Sequence, residues 1–528
     1  MYHMVDKLYN AKNMTLPKFA YQENEEETPT LDGEIGDEED RVAKTFAGQV
    51  LFITGGTGFL GKVLVEKLLR ACPDIKKLYL LIRPKYGKDP QVRIKDIFSN
   101  VLFDTLKQQR GEEELFKQIQ AISGDVMLPD LGLSQGDRDI LANEVTIVYH
   151  CAATIRFDEQ LRKAVLMNTR GTKLMLDLAK TLKKLKLFAY VSTAYCHLHI
   201  KKLYEKPYAP PANPHGVIKA CEWLKDEEVD LITKQILGDI PNTYAYTKSL
   251  AEALVVETFD DLPTVILRPS IVIPIWKEPL PGWTDNINGP TGLLIGAGKG
   301  VLRTMYCKSS GYGDFLPVDI AVNGMIVASW KNLYGPKVTT RIAHMTSSNE
   351  IKISWAEIIE LGRWVIENKL PLNGVVWYPG GSMKSNYYVH YICMILFHWI
   401  PAIFIDALLI LLRYQPVLCR VQKRITKGFE VFEYYANNVW NFDNGVAVEL
   451  RKMMNKTERK KYIIEKIDLD LIDYFQHCVL CARRCILKES DDTIPAAKKH
   501  MKVMWFVDRL CKIIFYSFMI YWLYTKLF

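Results

Sequence analysis

The first twenty residues do not read as an apolar leader, so none is expected. Residues 1–20 mix polar and apolar side chains, with no hydrophobic stretch ahead of a small-residue cleavage site. The chain has no paired cysteine framework either, because its eleven cysteines are scattered. Together these absences set the expectation of free thiols in a reducing compartment. Nor does a basic helix with interleaved aromatics stand out, so nucleic acid is not an expected partner despite a net charge of +8. That charge is uneven. Residues 1–46 hold five Lys/Arg against eleven Asp/Glu, leaving about +14 on the rest. A basic body suits a polyphosphate ligand or an anionic membrane face.

What is present fits two or three domains in 528 residues, 49% of them hydrophobic. Residues 1–46 are expected to be a disordered acidic tail. From there strands and helices alternate. Strands are expected at 50–53, 78–82, 119–122, 145–150, 187–192 and 264–267, with helices at 59–70, 161–183 and 243–259. Short β-branched runs between helices imply an α/β fold with a Rossmann-like, doubly wound parallel sheet. The Pro/Gly/Trp-rich segment 274–300 is expected to be a substrate loop. Domain boundaries are expected at about residues 47–350, 351–490 and 491–528. Beyond 350 the alternation is lost, and two apolar stretches, 391–412 and 505–528, reach the ~20 residues that span a bilayer.

The chemistry begins at Thr54-Gly55-Gly56-Thr57-Gly58-Phe59-Leu60-Gly61, directly after a buried strand. Glycines at i, i+3 and i+6 on a strand-to-helix turn let a pyrophosphate approach the backbone N–H groups that open the helix. The expected cofactor-binding residues are therefore Thr54, Gly55, Gly58, Phe59, Leu60 and Gly61. After the second strand an NAD enzyme usually carries an acid for the ribose hydroxyls. This chain reads Leu81-Ile82-Arg83-Pro84-Lys85, so Arg83 points to a 2′-phosphate and NADPH, unless Arg83 and Lys85 are only solvated loop charges. Asp125 fits an adenine-edge contact, and Ala152 and Ala153 a small-residue floor under the cofactor. Tyr244 and Lys248, four residues apart, share one helix face. A nearby ammonium would favour the phenolate and make the phenol a usable proton donor to a carbonyl, with Lys248 also reaching the cofactor ribose. Thr193, favoured over Ser192, would hold that carbonyl. Tyr246 lacks the lysine partner. Asn168 is either a support for the cofactor floor or a satisfied helical amide.

Taken together these motifs resemble the alcohol-forming fatty acyl-CoA reductases, an extended short-chain dehydrogenase/reductase family of the insect type. The resemblance also rests on His150–Thr154 with Arg156-Phe157-Asp158, Val191–Tyr195, Tyr244–Glu252, Leu267–Ser270 and Gly313–Asp319, and it covers residues 48–490. It implies a smaller, mainly helical C-terminal domain and the reduction of a long-chain acyl-CoA to a primary alcohol with two NADPH. In that scheme the first hydride gives a hemithioacetal that expels CoA, and a bound aldehyde takes the second. The rival readings are an NADP-linked steroid or sugar enzyme of the short-chain class and a membrane-anchored NADPH-binding scaffold without turnover.

The C-terminal region departs from the family pattern at His477-Cys478-Val479-Leu480-Cys481-Ala482-Arg483-Arg484-Cys485. That spacing invites zinc, but it equally fits one buried helix face, and no metal is expected. The basic residues after 391–412 disfavour a crossing there. An embedded or in-plane element, or a buried core helix, is expected instead. The 505–528 stretch reads as a tail anchor, placing a cytosolic catalytic body on an endoplasmic reticulum or peroxisome membrane.

Overall fold

Seven short runs rich in Val, Ile, Leu and aromatics form the strands β1 Val50–Thr54, β2 Lys77–Ile82, β3 Ile119–Ser123, β4 Ile147–His150, β5 Leu187–Val191, β6 Thr264–Pro269 and β7 Ile342–Met345. In this computed structural model, which describes residues 38–84, 89–287, 289–334, 341–347, 350, 352–464 and 470–527, they pair in parallel in the order β7-β6-β5-β4-β1-β2-β3. The expected residues 1–37 of the acidic tail, and Lys85, lie outside the described residues. Nearly every strand residue is buried, because helices cover both faces, which is why these strands read as continuous apolar runs. Leu51 and Ile53 join the core on one face, while Val50 and Phe52 join the other. β4 begins two residues later than expected.

The chain runs outward from β1 in both directions, so the crevice at the carboxyl ends of β1 and β4 is the topological switch point where such sheets bind ligands. The helix Phe59–Ala71 follows β1 on one face. On the other face the expected single helix over 161–183 is three pieces: Leu161–Ala164, a π turn Val165–Arg170, and Gly171–Ala179. It stops early, where Thr181 bonds back to the carbonyl of Leu178 (2.7 Å). The helix Thr243–Val256 packs beside it.

Two expected boundaries move. The body begins before residue 47. Arg41–Phe46 is a helix whose Val42 and Phe46 are fully buried, and Arg41 donates to the buried Glu458 (2.7–2.9 Å) and to the carbonyl of Met453 (2.7 Å). The expected break near 350 is likewise crossed, since residues 39–528 form one compact unit. The short strand Asn441–Phe442 pairs with Lys202–Leu203, and the Glu205 carboxylate accepts from both the His344 N–H (2.8 Å) and the Val446 N–H (2.7 Å). Among the described residues one helix, Tyr387–Leu411, is long and apolar enough to cross a membrane.

Candidate active site

The glycine turn is shaped by backbone crowding at two of its three positions and left open at the third. Gly55 has φ +74°, and a Cβ there would lie 2.7 Å from the backbone of Cys151 and Ala152. At Gly61 it would lie 2.2 Å from the Gly55 carbonyl oxygen. Gly58 differs, having extended backbone (φ −82°, ψ 173°) and a nearest neighbour at 3.4 Å. Gly58 also caps the helix without a side chain, and the first helical bond runs from the Lys62 N–H to the Gly58 carbonyl (2.9 Å). The N–H groups of Phe59, Leu60 and Gly61 therefore open toward the crevice with no helical acceptor, a cradle matched to a pyrophosphate.

Thr54 does something other than the expected cofactor contact. It is fully buried, its hydroxyl pairing with His150 Nδ1 (2.7 Å) and accepting from the Ala152 N–H (3.2 Å). It braces the Ala152–Ala153 loop against the turn. Phe59 likewise stacks its ring on buried Trp283 (5.7 Å), leaving its backbone to the crevice. Ala152 and Ala153 are half-buried after β4. Asp125, after β3, accepts from the Met127 N–H (3.0 Å) and so shapes its own loop. Arg83 is exposed at the end of β2, and the Arg93 guanidinium donates to its carbonyl, bringing a second cation to that edge. Sequence reasoning missed Arg93, which lies on the next helix with no motif around it.

The three expected catalytic residues do converge. Asn242 caps the helix Thr243–Val256 by accepting from the Ala245 N–H (2.9 Å), which fixes the turn carrying Tyr244 and Lys248. The Tyr244 phenol lies near the Thr193 hydroxyl, and its ring stacks on Phe157 (5.5 Å). Burial pushes the phenol above its usual 10, with the nearby Thr193 hydroxyl working against that rise. The expected pull of Lys248 toward phenolate is not what sets it. Lys248 is itself buried, donates to the Val191 carbonyl (2.6 Å) and lies over the Tyr190 ring (4.8 Å). Desolvation lowers it to about 8. At neutral pH the site thus presents a protonated phenol, the form a proton donor needs. Tyr246 is fully buried in the core. The Ser192 hydroxyl is buried without a partner among the described residues.

Asn168 takes the supporting role. On the π turn, its amide accepts from the Thr154 N–H (2.8 Å) and donates to the Thr154 carbonyl (3.1 Å) and the Thr247 hydroxyl (3.0 Å). One side chain therefore ties the loop after β4 to the helix of Tyr244. A second support joins two of the motif segments, Tyr244–Glu252 and Leu267–Ser270, across the fold. Arg268, fully buried in β6, grips Glu252 through two bonds (2.9 and 2.7 Å), and His197 lies 3.4 Å from the same carboxylate. A charge inside an apolar strand was the signal that could have found it. Among the described residues Cys196, His197 and Glu252 are grouped closely enough for a metal ion, but Arg268 takes both Glu252 oxygens. The C-terminal Cys set does not gather around its histidine, since His477 faces Asp473 (3.3 Å).

The expected substrate loop contains a helix, Pro290–Gly298. Its glycines, read as breakers, serve close packing: a Cβ on Gly298 would meet Ile366 at 2.4 Å. The helix walls a cavity of about 190 Å³ lined chiefly by apolar side chains, among them Ile273, Leu294, Phe315, Trp355 and Phe429. The strands Ile271–Ile273 and Phe315–Pro317 pair beside it. The Asp314 N–H bonds the Tyr195 hydroxyl (3.1 Å), which ties the segment before the wall residue Phe315 to the loop two residues past Thr193.

A parallel sheet in this order, a glycine cradle at its switch point, and a Thr/Tyr/Lys set beside it define a Rossmann-type reductase of the extended short-chain class. Solved structures agree on the fold. The terminal R domain from a myxalamid PKS-NRPS pathway aligns with TM-score 0.55 at 19% identity, over 84% of this chain and 92% of that one. The reductase domain of a Mycobacterium tuberculosis non-ribosomal peptide synthetase gives 0.55 at 18%, over 85% and 96%. Residues 53–325 match the NAD-binding region of the male sterility protein family, and residues 397–489 its Sterile region. Fatty acyl-CoA reductase 1 of Rattus norvegicus is 37% identical over 463 residues, 87% of this chain and 89% of the relative. Fatty acyl-CoA reductase 2 of Bos taurus is 34% identical over the same shares. The chain belongs to the fatty acyl-CoA reductase family.

Proposed function

We propose that this chain reduces a long-chain fatty acyl-CoA to the primary alcohol through a bound aldehyde, using NADPH. What supports the reading is the Tyr244 phenol near the Thr193 hydroxyl, Lys248 buried one turn further along the same helix, and an apolar cavity in the same body. The cofactor would be held by the N–H groups of Phe59, Leu60 and Gly61, with Ala152 and Ala153 beneath it and Asp125 at the adenine edge. Arg83 would meet the 2′-phosphate, helped by the absence of an acid there. When bound, NADPH supplies the hydride for each of two carbonyl reductions.

The chain's own residues do the rest. Thr193 and Tyr244 both donate to the carbonyl oxygen as negative charge grows on it. Tyr244, held protonated by burial, then gives up its proton. Lys248, on the same helix face, would reach the cofactor ribose. The same set serves thioester and aldehyde, because each step needs one oxygen stabilised and protonated. Asn168 acts as a positioning residue through Thr154 and Thr247. The scarcity of polar groups in the cavity favours an alkyl chain over a sugar.

Purified protein with NADPH and an acyl-CoA panel should yield alcohol, read by chromatography of extracted lipid. Tyr244→Phe should lower the rate at least about 10²-fold, the range of a lost general acid. Absence of aldehyde and alcohol at every chain length, or a fully active Tyr244→Phe, sinks the reading. Arg83→Asp should cut the NADPH/NADH preference in kcat/KM at least about tenfold, and an unchanged ratio would remove Arg83 from cofactor selection.

A further inference from the structure

The cysteine run that departs from the family pattern divides between two faces of one element. Cys478 and Cys481 lie on the helix Leu471–Cys481, and Cys485 follows on the π turn Ala482–Ile486. Cys478 lines the apolar cavity with Tyr474. Burial pushes its thiol up to about 12, which keeps it protonated and inert. Cys481 and Cys485 instead join the core cluster that holds Phe59 and Trp283. An α turn of about 3.6 residues carries a side chain four positions on past alignment, and the wider π turn corrects this. The two thiols therefore meet, with the Cys481 S–H donating to Cys485 Sγ across 3.2 Å.

The pair is asymmetric. Cys481 is buried and Cys485 half-buried. The bond from Cys481 brings the Cys485 thiol down to about 7 against the effect of its burial, with Lys488 and Arg484 assisting. The same bond raises Cys481. An accessible thiolate beside a second thiol is the arrangement in which one sulfur is oxidised and the other resolves it.

The segment that supports the glycine turn packs along this helix. The Tyr474 hydroxyl donates to the Pro274 carbonyl (2.7 Å). Gly282, at φ +74°, runs so close that a Cβ there would lie 2.1 Å from the His477 carbonyl oxygen. The Thr284 backbone lies beside the Cys481 thiol. Flanking Thr284 are Trp283, stacked on Phe59 (5.7 Å), and Asp285, paired with Lys62 (2.6 Å). Phe59 and Lys62 open the helix whose first N–H groups form the cradle. One short segment thus joins the dithiol to the cradle.

We propose that Cys481 and Cys485 form a reversible disulfide that weakens NADPH binding by displacing residues 282–285. The inference rests on the glycine turn being the NADPH site. A reducing compartment holds the pair as the dithiol until a peroxide appears. The Cys485 thiolate attacks the O–O bond, giving a sulfenic acid and a hydroxide that leaves as water with the proton Cys485 had lost. The Cys481 sulfur then displaces hydroxide from that sulfenic acid, and its own proton completes a second water. Two thiols and one hydrogen peroxide give one disulfide and two waters, the peroxide taking both electrons. Bond formation draws the sulfurs together by about 1 Å. Cys481, packed on Thr284, passes that shift to Trp283 and Asp285, because a close-packed core transmits strain. An added dithiol reverses the bond by exchange.

The test treats the full chain with hydrogen peroxide, removes the excess with catalase, and titrates NADPH. Mass mapping of unreduced peptides should find Cys481 linked to Cys485. NADPH affinity should fall at least about fivefold, the low end of coupling between two sites, and dithiothreitol should restore it. Cys485→Ser should keep its affinity through the same treatment. In Cys481→Ala the Cys485 sulfenic acid should persist and be trapped by dimedone. By linkage, bound NADPH should shift the pair toward the dithiol in a dithiothreitol redox buffer by the same factor. Absence of the linked peptide overturns the disulfide. A linked pair with unchanged NADPH affinity overturns the coupling, and so does an affinity loss that persists in Cys485→Ser. Reduced protein that binds no NADPH sinks the cofactor reading instead, while the linked peptide still reads the disulfide on its own.

Discussion

At the scale of single residues, the glycine turn separates what the fold needs from what a ligand needs. Gly61→Ala would drive a methyl into the Gly55 carbonyl at 2.2 Å, so the backbone itself must shift. Gly58→Ala meets nothing closer than 3.4 Å and keeps an allowed backbone, but its methyl faces the open cradle. Gly58→Ala is therefore expected to melt within about 1 °C of the parent yet bind NADPH at least about tenfold more weakly, whereas Gly61→Ala should lose stability as well. Thermal melts and cofactor titration of the two variants decide it. The spacing made all three glycines legible, but not their different reasons, which depend on how the loop after β4 crosses the turn. Lys248 offers a second residue-scale prediction. Desolvation depresses its pKa from 10.5 to about 8, so the ammonium is present below pH 8 and is lost as pH rises through it. If catalysis needs that charge, kcat/KM for NADPH should be flat to about pH 7.5 and fall about tenfold per unit above pH 8. Lys248→Arg should flatten the fall at a lower rate, and a parent profile flat to pH 9.5 would remove the charge from the mechanism.

At the scale of elements, the helix of Tyr244 and Lys248 is held by a buried charge cluster that joins two motif segments across the fold. Burial raises the Glu252 carboxyl, but Arg268 and His197 outweigh this and hold it well below the usual range. His197 in turn stands at about 10, because Cys196 and Glu252 overcome the opposing effect of burial. Glu252→Gln would leave the fully buried Arg268 guanidinium uncompensated. The expected cost is about 3–5 kcal/mol, read as a lower denaturation midpoint. Adding Arg268→Met should recover part of it, since the stranded charge is then gone. If both variants lose the same amount, packing rather than charge explains the cluster. The strands were legible because each is a short apolar run between breakers. The split of 161–183 was not, since a π turn and an α turn share one apolar pattern. Nor was Pro290–Gly298, where glycines that usually end helices instead let this one approach Ile366. The pairing of Arg268 with Glu252 was not legible for a related reason, because the two lie on different elements and only the fold joins them.

At the scale of the whole molecule, the helix Arg41–Phe46 closes on residues far along the chain, Met453 and Glu458. The helix Arg41–Phe46 follows an acidic run and reads by composition as more of the same, since its signals are local and weak against eleven nearby carboxylates. Its importance comes from distant partners. Val42 and Phe46 enter the core beside the sheet, while Arg41 neutralises Glu458, whose side chain has no exposure. Burying the two apolar side chains is worth about 2 kcal/mol each, and freeing Glu458 removes a partner from a buried carboxylate, which adds to the cost. With an unfolding entropy of about 2 cal/mol/K per residue, a chain of this size loses about 1 °C for each kcal/mol. A chain starting at residue 47 should therefore melt about 4–6 °C below one starting at residue 38, in the same detergent and with NADPH present in both. Arg41→Met in the longer chain isolates the ion pair, and should account for about a third of that difference if the apolar contacts carry the larger share. Equal melting temperatures for the two starting points would mean that the catalytic body is held together without its first helix, and would return the boundary to residue 46, where composition alone had drawn it.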